Sequence, residues 1–373
     1  MASSAGEQAP EGQRPAGEER RRSRRRRQQR RKRSLVFRVA TWVMGVSGLL
    51  ALVTTASLMA LGKRFDRPDS NTASPRADVP HASRVFEAGS GAVRDVTFNR
   101  AGTLVAGALD DGSVRIWDTR SGMIAQDFVA HQGRVLAIVY HPNRPMLATS
   151  GDDGHIKLWD TFKLRLMREW KVPGAVRDIA FSPDGARIVA GDARGTLTIW
   201  DIDTEEQLLE TRQSHAVDAL AWCATGEWIA SVGTDKTVRI WNSETLDAHQ
   251  TIPGHAGPVG DVAFATDGAR MATAGWGESI HLWEPKSGLE LGAIGTETRQ
   301  TWSVAITPDG SRLFSAGEDG NLQIWDLETR ASLASIRAHD SAIYALALDP
   351  KTRQLATAGI DGTVRMWDLR EIL

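Results

Sequence analysis

Hydrophobic and polar residues alternate in short runs along most of this chain, and the runs recur at a fixed interval. Seven of them end in a tryptophan, at spacings of 41 or 42 residues: Trp117, Trp159, Trp200, Trp241, Trp283, Trp325 and Trp367. Alternation with a period of two predicts half-buried β-strands. A repeat of about 40 to 45 residues predicts stacked units that cannot bury their apolar faces alone. The pattern therefore predicts a ring of β-sheet units.

The second unit shows how each repeat is divided. Its apolar runs cover residues 135–140, 146–150, 155–159 and 164–170. Turn-forming segments separate the runs, for example Asp152-Asp153-Gly154, and such segments between β-type runs are typical of antiparallel hairpins. Each unit is therefore predicted to be a four-stranded antiparallel blade.

The two ends of the repeat region predict how the ring closes. After Trp367-Asp368 only five residues remain, too few for the outer strand that every earlier unit has. Residues 84–88, which precede the first unit, have the β-type character of those outer strands. We therefore predict an all-β domain over residues 83–373 in which residues 84–88 complete the seventh blade.

A different pattern occupies the first 82 residues. Residues 39–62 contain no charge. A helix of that length is roughly 36 Å long, enough to cross a hydrocarbon core of about 30 Å. We expect a transmembrane helix (a signal anchor) over 39–62, between a disordered basic tail over 1–38 and a flexible linker over 63–82. A cleaved signal peptide and a twin-arginine export signal are the alternatives, and the first normally has a shorter apolar run.

The charge of the chain is distributed unevenly. The formal net charge is −1, but residues 1–38 hold 13 Arg or Lys against 4 acids, which leaves −10 for residues 39–373. The positive-inside rule places the basic tail in the cytoplasm, near anionic lipid, and the repeat domain in the extracytoplasmic space, periplasmic if the source is bacterial. An acidic domain is not expected to bind nucleic acid.

Four residue types recur at matching places in several units. The second unit has His131, Thr149, Asp153 and Trp159; the fourth has His215, Ser231, Asp235 and Trp241; the seventh has His339, Thr357, Asp361 and Trp367. Over residues 84–373 this pattern resembles that of the WD-repeat β-propellers. The resemblance implies a seven-bladed propeller in which these residues form hydrogen-bonded tetrads, complete in three blades. Such a role fits the need of a buried indole and imidazole for polar partners.

Candidate chemistry is sparse. The recurring histidines occupy the same place on different blades, which favours a structural role over a metal site. Asp95, Asp178 and Asp261 begin the inner strands of alternate units and are either solvated acids or a cation site in the channel. No phosphate-binding loop, haem motif, nucleophile elbow or zinc motif is present, and the single cysteine, Cys223, excludes an intramolecular disulfide. We predict no catalytic residues, no cofactor and no resident metal.

The resemblance also implies where partners dock. The expected face is formed by the loops that enter the inner strands and the loops that join the second and third strands. Aromatic residues and arginine dominate interface energetics because they bury much area and can still form hydrogen bonds. The predicted partner-binding residues are Arg94, Arg134, Leu136, Arg177, Trp276, Trp302, Tyr344 and Ile360.

These features predict a membrane-anchored scaffold that binds a protein or peptide through one face of the propeller. Two alternatives stay open. One is an enzyme, or a sensor of a small ligand or cation, at the channel mouth, although no convergent acid, base and nucleophile are found there. The other is a membrane-attached regulator whose propeller faces the cytoplasm, as in most WD-repeat proteins.

Overall fold

The computed structural model describes residues 81–89, 91–277, 279–296, 298–349, 351 and 354–372, and these form seven four-stranded antiparallel sheets. The closing strand is Arg84–Glu87 (β1). Blade one contains Val93–Phe98 (β2), Leu104–Leu109 (β3), Ser113–Asp118 (β4) and Ile124–Val129 (β5). Blade two contains Val135–Tyr140 (β6), Met146–Gly151 (β7), His155–Asp160 (β8) and Arg165–Lys171 (β9). Blade three contains Val176–Phe181 (β10), Arg187–Asp192 (β11), Thr196–Asp201 (β12) and Gln207–Arg212 (β13).

The later blades follow the same order along the chain. Blade four contains Val217–Trp222 (β14), Trp228–Gly233 (β15), Thr237–Asn242 (β16) and Ala248–Pro253 (β17). Blade five contains Val259–Phe264 (β18), Met271–Gly275 (β19), Ser279–Glu284 (β20) and Leu289–Gly295 (β21). Blade six contains Thr301–Ile306 (β22), Arg312–Gly317 (β23), Asn321–Asp326 (β24) and Ser332–Arg337 (β25). Blade seven contains Ile343–Asp349 (β26), Gln354–Gly359 (β27) and Thr363–Asp368 (β28) together with β1.

The apolar residues are buried between blades. Seven hydrophobic clusters are present, and each combines residues of two neighbouring blades. The cluster between blades one and two, for example, joins Ile116 to Ile138 and Trp159. Each cluster also contains one of the seven repeat tryptophans. The all-β, seven-bladed fold predicted from the sequence is therefore confirmed.

The closing strand is part of the sheet of blade seven and also packs against blade one. Strand β1 pairs antiparallel with β28, with Arg84 opposite Met366 and Glu87 opposite Thr363. Its Phe86 side chain is buried and lies against the indole of Trp117 in blade one, with 5.7 Å between the ring centroids. The strand therefore completes the sheet of blade seven and fills the interface between blades seven and one.

The membrane-spanning part of the predicted fold class requires a correction. Among the described residues the only helix is Leu369–Ile372 (α1), with four residues, and none there is long and apolar enough to cross a membrane. At 1.5 Å per residue α1 is about 6 Å long, against a hydrocarbon core of about 30 Å. The expected helix over 39–62, the tail over 1–38 and residues 63–80 of the linker lie outside the described residues. The fold class is thus an all-β propeller, and the single-pass membrane location is not supported.

We expect Phe86→Ala to lower the free energy of unfolding by about 3 to 5 kcal/mol, because it leaves a cavity between blades seven and one. Val85→Ala, on the 48% exposed neighbour in the same strand, is the matched control and should change stability by less than about 0.5 kcal/mol. Urea unfolding followed by tryptophan fluorescence measures both. Equal midpoints for Phe86→Ala and the unsubstituted protein would show that the strand does not lock the ring.

Candidate functional site

Every inner strand has a β-bulge at its second residue. In blade one, Val93 pairs with Leu109 and Asp95 with Ala108, so that Arg94 has no place in the ladder. The same register shift occurs in the other six blades. A bulge bends its strand and re-aims the extra residue. The seven bulge residues, at the end of the propeller where the inner strands begin, are Arg94, Leu136, Arg177, Asp218, Gly260, Trp302 and Tyr344.

The three predicted arginines are paired with aspartates. The pairs are Arg94–Asp110, Arg134–Asp152 and Arg177–Asp218. In the first, Nε and Nη2 of Arg94 donate to the two carboxylate oxygens of Asp110 at 2.5 and 3.2 Å. Leu136, the bulge residue of blade two, is half-buried. Blades one to four therefore offer charge-neutral ion pairs at this face rather than free positive charge.

A stack of side chains crosses three blades on the other side of the same face. The rings of Trp302 and Tyr344 are nearly parallel, with an interplanar angle of 16° and 5.1 Å between centroids. The guanidinium carbon of Arg94 lies 4.5 Å from the centroid of the Tyr344 ring. Aromatic stacking and cation–π contact each hold such groups in place by roughly 0.5 to 1.5 kcal/mol. Blades six, seven and one are thus joined by one preformed stack.

Two further predicted residues lie at the turns between second and third strands. Trp276 is 49% exposed and Ile360 is 41% exposed. Gln300 links Trp276 to the stack, because it pairs with the backbone of Trp276 while its side-chain oxygen accepts a hydrogen bond from Nε1 of Trp302 at 3.2 Å. We call Trp276, Trp302, Tyr344 and Ile360 the aromatic sector.

The repeat geometry has a counterpart among known proteins. A family model described as the IFT122 first beta-propeller matches residues 92–368 of this chain. The chain belongs to this family of WD-repeat propellers. Comparison with curated proteins finds no match. Propellers of this family are protein-interaction scaffolds, so the groups exposed on the face are of first interest.

Two WD-repeat tetrads bring their four predicted residues together. In blade two, Trp159 Nε1 donates to Thr149 Oγ1 at 3.0 Å, His131 Nε2 lies 2.8 Å from the same oxygen, and His131 Nδ1 lies 2.9 Å from Asp153 Oδ1. In blade seven the corresponding distances are 3.2, 2.7 and 3.0 Å, among Trp367, Thr357, His339 and Asp361. Burial opposes ionisation of the Asp361 carboxyl, but the hydrogen bond from His339 outweighs it with further bonds and lowers its pKa to about 2.

Blade four departs from the expected tetrad. Trp241 Nε1 donates to Ser231 Oγ at 2.8 Å, but Ser231 Oγ donates to Oε1 of the buried Gln213, also at 2.8 Å. The His215 side chain is 59% exposed and lies 3.8 Å from Asp235 Oδ2. Gln213 precedes Ser231 by 18 residues, the interval between His131 and Thr149. Strict spacing therefore identifies Gln213, and sequence reasoning missed it because a histidine follows two residues later.

The three aspartates at the starts of inner strands link neighbouring blades. Asp95 accepts hydrogen bonds from the backbone N–H of Val96 in its own strand and of Ile138 in blade two, both at 2.8 Å. Asp178 accepts from Leu220 in blade four at 2.7 Å, and Asp261 accepts from Val304 in blade six at 2.9 Å. We call Asp95, Asp178 and Asp261 the inter-blade aspartates. They are half-buried and bonded to backbone N–H groups, and among the described residues they are not part of a group of three or more metal-binding side chains.

Burial changes how the inter-blade aspartates ionise. It raises the pKa of Asp95 to about 7 and that of Asp261 to about 6, although backbone N–H groups act in the opposite direction. It also raises the pKa of Asp178 well above its usual range. Burial thus favours the protonated form of the three carboxyl groups that accept hydrogen bonds from the neighbouring blades.

We expect Gln213→Ala to lower the free energy of unfolding by about 1 to 3 kcal/mol, because it leaves the buried Ser231 hydroxyl without its acceptor. His215→Ala, on an exposed side chain two residues later, should change it by less than about 0.5 kcal/mol. Urea unfolding of the two variants side by side measures the difference. A larger loss of unfolding free energy for His215→Ala than for Gln213→Ala would show that His215, and not Gln213, is the tetrad residue.

We expect the free energy of unfolding of the double variant Asp95→Asn, Asp261→Asn to increase, relative to that of the unsubstituted protein, as pH rises from about 4 to 7. A carboxyl with a raised native pKa binds a proton that the unfolded chain has released, so its stabilisation is present below pH 4 and is lost as pH rises. Unfolding free energies of both proteins at pH 4, 5, 6, 7 and 8 give the difference, in which the opposite contribution of His255, whose pKa is lowered to about 4, cancels. Asp340→Asn is the surface control, and a difference independent of pH would contradict the assignment.

Proposed function

We propose that this propeller is a scaffold that binds a protein or peptide segment through the aromatic sector. The observation that carries the proposal is the half-exposed indole of Trp276 beside the stacked rings of Trp302 and Tyr344. Tryptophan and tyrosine at the centre of an interface bury large areas at low entropic cost. A partner that places an aromatic or long aliphatic side chain against these rings would gain that burial.

The surrounding ion pairs fit the role of a polar rim. The guanidinium groups of Arg134 and Arg177 are each matched by an aspartate, and partly exposed pairs contribute little to affinity. Such groups exclude water around a central apolar contact and favour one orientation of the partner. In this proposal Arg94 has a different role, since its guanidinium supports the Tyr344 ring directly.

The sector is already organised in the free protein. The Trp302 indole is held by Gln300 and by the Tyr344 ring, so few side-chain rotamers remain to be fixed on binding. Each immobilised flexible side chain costs an interface about 0.5 to 1.5 kcal/mol. Preorganisation supports a docking function for these rings rather than a role in packing within a blade.

The proposal is tested by placing the photo-reactive residue p-benzoyl-phenylalanine at position 276 of the full chain in its own cell. We expect discrete cross-linked proteins that are absent when the same residue replaces Leu289, an exposed side chain at the start of the outer strand of blade five. Adding Trp302→Ala should reduce the cross-linked yield at least tenfold. For a partner identified in this way, Trp276→Ala should raise Kd about 30-fold, equivalent to a loss of about 2 kcal/mol of binding free energy. Equal yields at positions 276 and 289 would reject the sector as a docking site.

A further inference from the structure

A turn of blade two departs from its equivalents in the other blades. In the other five blades whose third and fourth strands are joined by a turn, the second residue after the third strand is charged: Arg120, Asp203, Glu244, Lys286 and Glu328. In blade two this residue is Phe162. Serine or threonine follows in five of the repeats, and Lys163 follows here. Residues 162–166 consequently read Phe-Lys-Leu-Arg-Leu, in which apolar and basic residues alternate.

The apolar side chains of this segment face solvent. Phe162 is 81% exposed, the highest value among the exposed large apolar residues of the described chain, and Leu164 and Leu166 are also exposed. Leu164 adopts a left-handed backbone conformation with φ of 47°, which costs an ordinary residue about 1 kcal/mol or more. Leu246, at the same place in blade four, is buried. The fold therefore does not require this leucine to be exposed.

The basic side chains of the segment are available. Lys163 and Arg165 are exposed, and neither forms an ion pair in the described part of the chain. The Asp160 carboxylate interacts electrostatically with both cations, but it forms no ion pair with them, and its Oδ1 accepts the backbone N–H groups of Phe162 and Lys163 at 2.9 and 3.0 Å. Three exposed apolar groups and two unpaired cations thus lie within five consecutive residues.

The segment is far from the aromatic sector in the topology of the blade. Turns between the third and fourth strands lie at the end opposite to the loops that enter the inner strands, because consecutive strands are antiparallel. Residues 162–164 form the turn before β9, and Arg165 and Leu166 are the first residues of that outer strand, which among the described residues pairs only with β8. The free edge of β9 is suited to an added strand, in which the backbone gives affinity and alternate side chains give specificity, and the turn adds Phe162, Lys163 and Leu164 next to the start of that edge.

We propose that residues 162–166 form a second docking surface, which binds an extended protein segment of alternating apolar and acidic residues. The apolar side chains of the partner would cover Phe162, Leu164 and Leu166, and its carboxylates would pair with Lys163 and Arg165. The charges of the chain favour a protein segment over an anionic lipid surface, because residues 39–373 carry a formal charge of −10. A broad anionic surface would be repelled by that charge, whereas a short acidic strand meets mainly the local cations.

The test is a fluorescence-anisotropy titration of the full chain with a labelled 12-residue peptide in which Phe or Leu alternates with Glu. We expect binding that the double substitution Phe162→Glu and Leu164→Gly weakens at least tenfold. This variant is expected to fold, since glutamate occupies the first position in blades four and six and glycine the second in blades one and five. Raising the salt concentration to 0.5 M should also weaken binding, because it screens the ion pairs.

Three controls make the result specific. Leu289→Glu removes a 61% exposed leucine from the rim of blade five and should leave the affinity unchanged, as should Trp276→Ala in the aromatic sector. A peptide with Lys in place of Glu should bind at least tenfold more weakly.

The proposal is overturned by any of four results. These are no binding of the acidic peptide, equal binding of the Lys peptide, loss of binding in Trp276→Ala, and an unchanged affinity of the Phe162→Glu, Leu164→Gly variant. If phosphatidylserine vesicles bind residues 162–166 and the peptide does not, the surface contacts lipid. If sedimentation detects a dimer that the double variant abolishes and the peptide does not bind, the partner is a second copy of the chain.

Discussion

No blade of this propeller buries both of its apolar faces by itself, and this constraint governs the rest of the structure. Each hydrophobic cluster takes its residues from two neighbouring blades, so a blade is stable only while both neighbours are present. Closure of the ring is therefore a condition of stability for every blade. Strand β1 closes the ring, because it pairs with β28 and its Phe86 packs against Trp117 at the interface between the last blade and the first.

Hydrogen bonds between polar side chains and the backbone also connect the strands and blades, but they do not recur in every repeat. Tetrads fix strands within blades two and seven, while the inter-blade aspartates link blade one to two, three to four and five to six. In blade six a serine, Ser303, takes the corresponding place and accepts the N–H of Leu346 in blade seven at 3.1 Å. At the interfaces between blades two and three and between blades four and five, alanines (Ala137 and Ala219) take the place of the inter-blade aspartates. These interfaces depend on apolar packing. The ring is thus uniform in backbone and unequal in its blade-to-blade links.

The period of the tryptophans predicted the blades because a buried indole is needed at the same depth in every repeat. Spacing also contained the information for Gln213, but residue identity obscured it: an amide replaces an imidazole as acceptor for Ser231. The pairing of arginines with aspartates could not be read from sequence, since it depends on bulges that re-aim Arg94 and on turns sixteen residues away. The exposure of Phe162 could not be predicted, because its turn lies outside the face that the family resemblance implies.

The closing strand also has a consequence for biosynthesis. Arg84 pairs with Met366, 282 residues later in the chain, so β1 emerges from the ribosome long before its partner exists. At a synthesis rate of about 5 to 20 residues per second, that delay is roughly 14 to 56 seconds. During it, Phe86 and the edge of β1 are exposed, and blade one lacks one of its neighbours. The edge of β1 and the outer face of blade one therefore acquire their final neighbours only after blade seven has been synthesised.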